Sequence, residues 1–157
     1  MGTARSFVAA LAVILSGFTI VRDACAETPE GRWLTQDKGG VVEVYRCADA
    51  LCGRLVWFRL GSLHDNPQAF DIRNPTVGLR NRSLCGLVIL WDFRPDGQDH
   101  WGGGSAYDPE SGRSYSAQIT MTPEGHLILR GYIGISLLGR SEEWTRYTEP
   151  LSACPGE

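Results

Sequence analysis

The sequence predicts an all-β fold: an eight-stranded antiparallel up-and-down barrel with one long loop. Three observations carry that expectation. Eight short runs are rich in β-branched and aromatic residues, the best of them with clean two-residue alternation. Most are joined by brief Gly-containing turns, which pair neighbouring strands as antiparallel hairpins. No uninterrupted stretch of about twelve residues keeps a 3.6-residue period, so no long helix is expected. Eight strands in meander order can close and remove both sheet edges; a two-sheet sandwich is the alternative.

The elements follow in order. Arg32 to Thr35 is a short first strand, and Lys38-Gly39-Gly40 turns the chain into Val41 to Cys47. The four-residue link Ala48-Asp49-Ala50-Leu51 leads to Cys52 to Arg59, whose alternation puts Gly53, Leu55 and Trp57 on one face. Leu60 to Cys85 then breaks the pattern with two Asn-Pro steps and no periodicity. Loops of that length in a compact domain are usually functional, and this one is expected to be a lid over the open end. Leu87 to Phe93 and His100 to Tyr107 flank a polar hairpin tip at Asp96-Gly97. Asp108 to Gly112 turns into Arg113 to Met121, where Tyr115, Ala117, Ile119 and Met121 share a face. After Glu124-Gly125 come His126 to Ile133 and Ser141 to Thr148.

The chain has 157 residues with 43% apolar and 21% charged residues, the size and composition of one globular domain. Residues 1–26 read as a signal peptide: Arg5, an uncharged apolar stretch from Phe7 to Val21, and Ala24-Cys25-Ala26 before Glu27. That stretch is short for a membrane span, and no other approaches one. Residues 27–157 are therefore expected to be the mature barrel domain, periplasmic or secreted from a bacterium, with no integral membrane segment. Loss of Arg5, Arg22 and Asp23 moves the net charge from -3 to -4. That balance argues against nucleic acid as a partner.

Four cysteines remain, an even number that reads as two disulfides in an exported chain. Cys47 and Cys52 flank a tight link between strands, where facing positions are within reach of a bridge. That leaves Cys85 with Cys154. No CxxC pair is present, so neither zinc nor redox chemistry is favoured, and no metal or cofactor is expected. No nucleophile elbow, HExxH or complete calcium loop appears, and nothing names a reaction. Arg113, Arg130, Arg140 and Arg146 are expected to pair with surface carboxylates.

Gly31-Arg32-Trp33 in the first strand and Trp144-Thr145-Arg146 in the last resemble the closure device of lipocalin-type barrels, in which the Arg guanidinium stacks on the indole. That resemblance implies a structural role for Trp33 and Arg146. A wider set adds Leu51-Cys52-Gly53-Arg54-Leu55-Val56-Trp57, Asp71 with Asn74-Pro75, and Leu79-Arg80-Asn81-Arg82. It continues through Cys85-Gly86-Leu87, Trp101 with Gly103-Gly104, Tyr107-Asp108-Pro109, Gly112 with Tyr115, Gly131, Gly139-Arg140 and Trp144 with Arg146. In this order the segments resemble bacterial exported domains grouped as domain-of-unknown-function family 2147. The resemblance implies export and a lipocalin-like barrel with a cavity.

Barrels of about eight strands hold side chains or one small ligand. The expected function is binding of an apolar or amphipathic molecule, with Trp57 among the cavity aromatics. Arg80 and Arg82 are expected to reach a carboxylate head group at the mouth. Asp71 and Asn74 are placed in the same site, where turn capping is the simpler role. The alternative is an envelope-associated module with a filled barrel, no enzymatic activity and a protein partner.

Overall fold

The computed structural model describes residues 28–59 and 69–154. The expected signal peptide, and the part of the long loop before Ala69, lie outside the described residues. Eight strands run in sequence: β1 (Gly31–Leu34), β2 (Gly40–Cys47), β3 (Ala50–Phe58), β4 (Val88–Pro95), β5 (His100–Asp108), β6 (Arg113–Met121), β7 (Leu127–Tyr132) and β8 (Arg140–Arg146). Each pairs antiparallel with the next, and β1 pairs with β8, so the sheet is a closed barrel. The last seam is short, joining Trp33 to Arg146 and Leu34 to Thr145. The alternation in β6 faces Ala117, Ile119 and Met121 inward, all buried, with Tyr115 half-buried at the start of the row.

The interior combines large rings with glycines on facing strands. Phe93 lies across Gly104, where a Cβ would stand only 2.4–2.6 Å from its ring carbons. Leu90 lies over Gly53, and a Cβ at Gly31 would stand 2.6 Å from an Arg146 guanidinium nitrogen. Without these glycines the rings and the sheet could not approach so closely.

Both expected disulfides are formed, Cys47–Cys52 and Cys85–Cys154. The first staples the β2–β3 hairpin. The second closes a 69-residue separation, stabilising by about 4 kcal/mol in the chain-entropy model, and holds the C-terminal tail beside β4. Two such bridges fit an oxidising compartment, either extracellular or periplasmic.

The sequence-based face assignment of β3 needs one correction. Val41 pairs with Trp57 while Val42 pairs with Leu55, so Val56 is an extra residue, a β-bulge. Beyond it the alternation flips. Phe58 is buried, whereas Trp57 points away from the barrel interior and donates its indole N–H to Ser152 Oγ at 3.0 Å.

Candidate functional site

The meander puts four connections at one end of the barrel: β1–β2, β3–β4, β5–β6 and β7–β8. At the other end the chain is closed. Trp33 is buried, donates to the Pro29 carbonyl at 2.8 Å, and carries the Arg146 guanidinium 4.1 Å from its ring centroid. Arg146 also donates to the carbonyls of Thr28 and Glu30 at 2.8 and 2.9 Å. Its bonds are thus to backbone and an aromatic face, not to the surface carboxylate expected from sequence.

Between the floor and the four-connection end lies a cavity of about 700 Å³. That volume falls in the usual range for small-molecule sites, about 300–1,000 Å³. Leu55, Phe58, Ile89, Leu90, Leu129 and Trp144 form its apolar wall. Its mouth carries Asp37, Asp108, Glu110, Arg113, Arg140 and Glu142. Asp37 accepts the Thr35 hydroxyl at 2.7 Å and the Gly39 N–H at 3.0 Å. Burial alone would raise its pKa, but these bonds outweigh it and hold the carboxyl below its ordinary value. Asp108 accepts Glu110 N–H and the Ser111 hydroxyl, and Glu142 accepts the Trp144 indole N–H at 2.9 Å. Arg113 and Arg140 are exposed and make no ion pair among the described residues.

The residues chosen from the long loop meet one another rather than the cavity. Asp71 is 0% exposed and accepts Tyr107 Oη at 2.5 Å, Asn74 Nδ2 at 2.8 Å and Arg82 Nε at 2.8 Å. Arg82 also stacks over the Tyr107 ring, 5.5 Å from its centroid. Asn74 Oδ1 accepts the Thr76 N–H at 2.9 Å, capping the turn before the short 3-10 helix at Val77–Leu79. Arg80 Nε donates to the Asn74 carbonyl at 2.8 Å.

None of Trp57, Asp71, Asn74, Arg80 and Arg82 lines the cavity. The physical reason is direct. A buried carboxylate leaves a large desolvation penalty unless it is paired, and Arg82 is the cation that pairs it. The described part of the loop is consequently an anchored flap, not a cover. Phe70 bridges to Ser83, Ala69 and Leu84 are buried, and Arg73 donates to the Glu110 carbonyl. Gly112, at φ +71°, passes so close to the Arg73 carbonyl that no Cβ fits.

Tyr107 joins the two regions, since it lines the cavity and bonds Asp71. Burial, then the hydrogen bond and charge of Asp71, push its hydroxyl up to about 12. Sequence reasoning missed Tyr107, Arg113 and Arg140. The two arginines carried a usable signal: each begins an even-numbered strand, and in an up-and-down barrel all even strands start at the same end.

The family model described as an uncharacterized protein conserved in bacteria (DUF2147) matches residues 31–146. Among solved structures, the chain is similar to protein HP1028 from the human pathogen Helicobacter pylori, described as belonging to the lipocalin family. The two share 25% sequence identity and a TM-score of 0.67, over 76% of this chain and 83% of that one. No curated protein matches the sequence.

Proposed function

The chain belongs to the family of uncharacterized proteins conserved in bacteria (DUF2147), and on that premise we propose that it is an exported binding protein for a small anionic amphiphile. The observation that carries this reading is the cavity of about 700 Å³, with an apolar wall and a charged mouth in which Arg113 and Arg140 stand beside Asp37, Asp108, Glu110 and Glu142. An aliphatic tail lies against Leu55, Ile89 and Leu129, where its burial stabilises by about 0.8 kcal/mol per CH₂. The head group stays at the mouth, where a guanidinium takes a carboxylate in a two-pronged bond. Arg113 and Arg140 replace Arg80 and Arg82 in that role, because they line the mouth and form no ion pair among the described residues, whereas Arg80 and Arg82 bond within the flap. Export rests on the proposed 26-residue signal and on two disulfides.

Native mass spectrometry and titration with a long-chain fatty acid and its methyl ester test the proposal. The acid is expected to bind one to one. Replacing both arginines (Arg113→Ala with Arg140→Ala) is expected to weaken the acid by about tenfold or more, the loss of one charged hydrogen-bond interaction, and the ester little. Equal binding of acid and ester overturns the head-group assignment. Binding of neither overturns the amphiphile reading.

A further inference from the structure

The loop between β7 and β8 exposes four large aliphatic side chains in six residues. Ile133 is 70% exposed, Ile135 60%, Leu137 81% and Leu138 77%. Water contact for so many aliphatic groups is unfavourable in a folded chain, and a cluster of this kind marks a contact surface. The loop is held in place rather than left loose. Ser136–Leu138 forms a 3-10 turn, with Gly139 N–H bonded to the Ser136 carbonyl at 3.1 Å. Arg130 reaches across from β7 and donates to the Ser136 carbonyl from Nε and Nη2, at 2.9 and 2.6 Å. Its other bonds go to the Leu137 carbonyl at 3.3 Å and Ser141 Oγ at 3.0 Å. The apolar side chains are therefore presented outward while the carbonyls of Ile135, Ser136 and Leu137 beneath them are hydrogen-bonded.

We propose that this loop docks the mouth of the barrel onto a lipid bilayer surface. Three features favour lipid over a protein partner. The patch is confined to one six-residue loop, whereas a stable protein interface draws on roughly 20–30 residues a side. Its large exposed side chains are all aliphatic, suited to shallow insertion at the boundary between head groups and acyl chains. Satisfied carbonyls matter most there, since an unpaired backbone group is costly where water is scarce. Charge at this end leans basic: the described connections there, with the strand ends they join, carry seven basic residues, Arg113 and Arg140 among them, against five carboxylates. Val77, 71% exposed on the flap between β3 and β4, adds an apolar point at the same end.

Docking in this orientation puts the cavity mouth against the membrane, yet it does not depend on the cavity being occupied. Failure to bind a fatty acid and failure to bind vesicles are separate results. The test is co-sedimentation of the chain from residue 27 with phosphatidylcholine vesicles, with and without phosphatidylglycerol. The protein is expected to sediment with both, more strongly with the anionic ones. Leu137→Asp with Leu138→Asp is expected to reduce partitioning by about tenfold or more. Both positions are exposed, so the thermal midpoint should stay unchanged, and the milder Leu137→Ser should move partitioning in the same direction. Arg140→Ala is expected to weaken binding to anionic vesicles by a few fold and to neutral vesicles hardly at all. Absence of vesicle binding by the parent protein overturns the proposal, as does undiminished binding by the double variant. A dimer that the double variant abolishes, without vesicle binding, assigns the loop to a second copy of the chain and overturns it too.

Discussion

At one end of the barrel Trp33, Leu51, Phe93 and Leu127 fill the interior and are 2% exposed or less. At the other, Leu55, Ile89, Tyr107 and Leu129 surround a cavity of about 700 Å³. The same eight strands supply both ends. The difference lies in how inward residues are matched across the sheet. Phe93 packs into the space left by Gly104, and Arg146 into that left by Gly31, so large groups meet glycines and no gap remains. Around the cavity the lining side chains, Phe58 and Trp144 among them, stand on the wall and leave the space between them open. Fold stability is thus concentrated at the closed end, and the open end is free to hold something else.

The largest expected effect tests that division directly. Phe93→Ala should cost about 3–5 kcal/mol, since a close-packed ring leaves a void that the surrounding glycine backbone cannot refill. Leu129→Ala, on a wall already facing space and only partly buried, should cost about 1–2 kcal/mol. Urea denaturation measures both, and equal costs would break the comparison.

A smaller effect sharpens the account of closure. Trp33→Ala and Arg146→Ala should be non-additive in a double-mutant cycle, with a coupling of about 0.5–2 kcal/mol from the stacked guanidinium. Additivity would mean that packing alone seals that end.

The smallest effect lies at the junction between cavity and flap, and it depends on pH. The folded-state pKa of Tyr107 is about 12 against an ordinary 10.0. Between those values the native state keeps a proton that the unfolded chain has lost. The stabilisation is complete below pH 10 and disappears as pH rises towards 12. Thermal midpoints between pH 9 and 12 should therefore fall more steeply in the parent protein than in Tyr107→Phe. Parallel slopes would show that Tyr107 does not resist ionisation in the fold.

The eight strands were legible because their information is local. Alternation in Arg113 to Met121 and glycines at the turns need no knowledge of distant partners. The Cys47–Cys52 bridge was legible for the same reason, its two ends lying on one hairpin. The inward placement of Trp57 failed because the bulge at Val56 is a property of the β2–β3 register, not of the β3 sequence. A single extra residue reverses every later side chain.

The long loop marks the boundary most clearly. Its length and its Asn-Pro steps pointed to a special segment, and Asp71, Asn74 and Arg82 were singled out within it. Turn capping by Asn74 was readable and is what its Oδ1 does, but the pairing of Asp71 with Arg82 was not, because the phenol that completes the group, Tyr107, lies 36 residues from Asp71. Once the barrel closes, Asp71 is removed from water and must take Arg82 for itself, and that choice withdraws Arg82 from the mouth. Arg113 and Arg140 become the rim cations without an ion pair among the described residues, because closure brings the starts of β6 and β8 to one end. Local sequence determined the strands, the turns and the staples, since backbone sterics and two-residue periodicity act over a few residues. The tertiary structure decided which charges are buried and paired and which face the cavity, since desolvation and ion pairing depend on neighbours that only the closed sheet supplies.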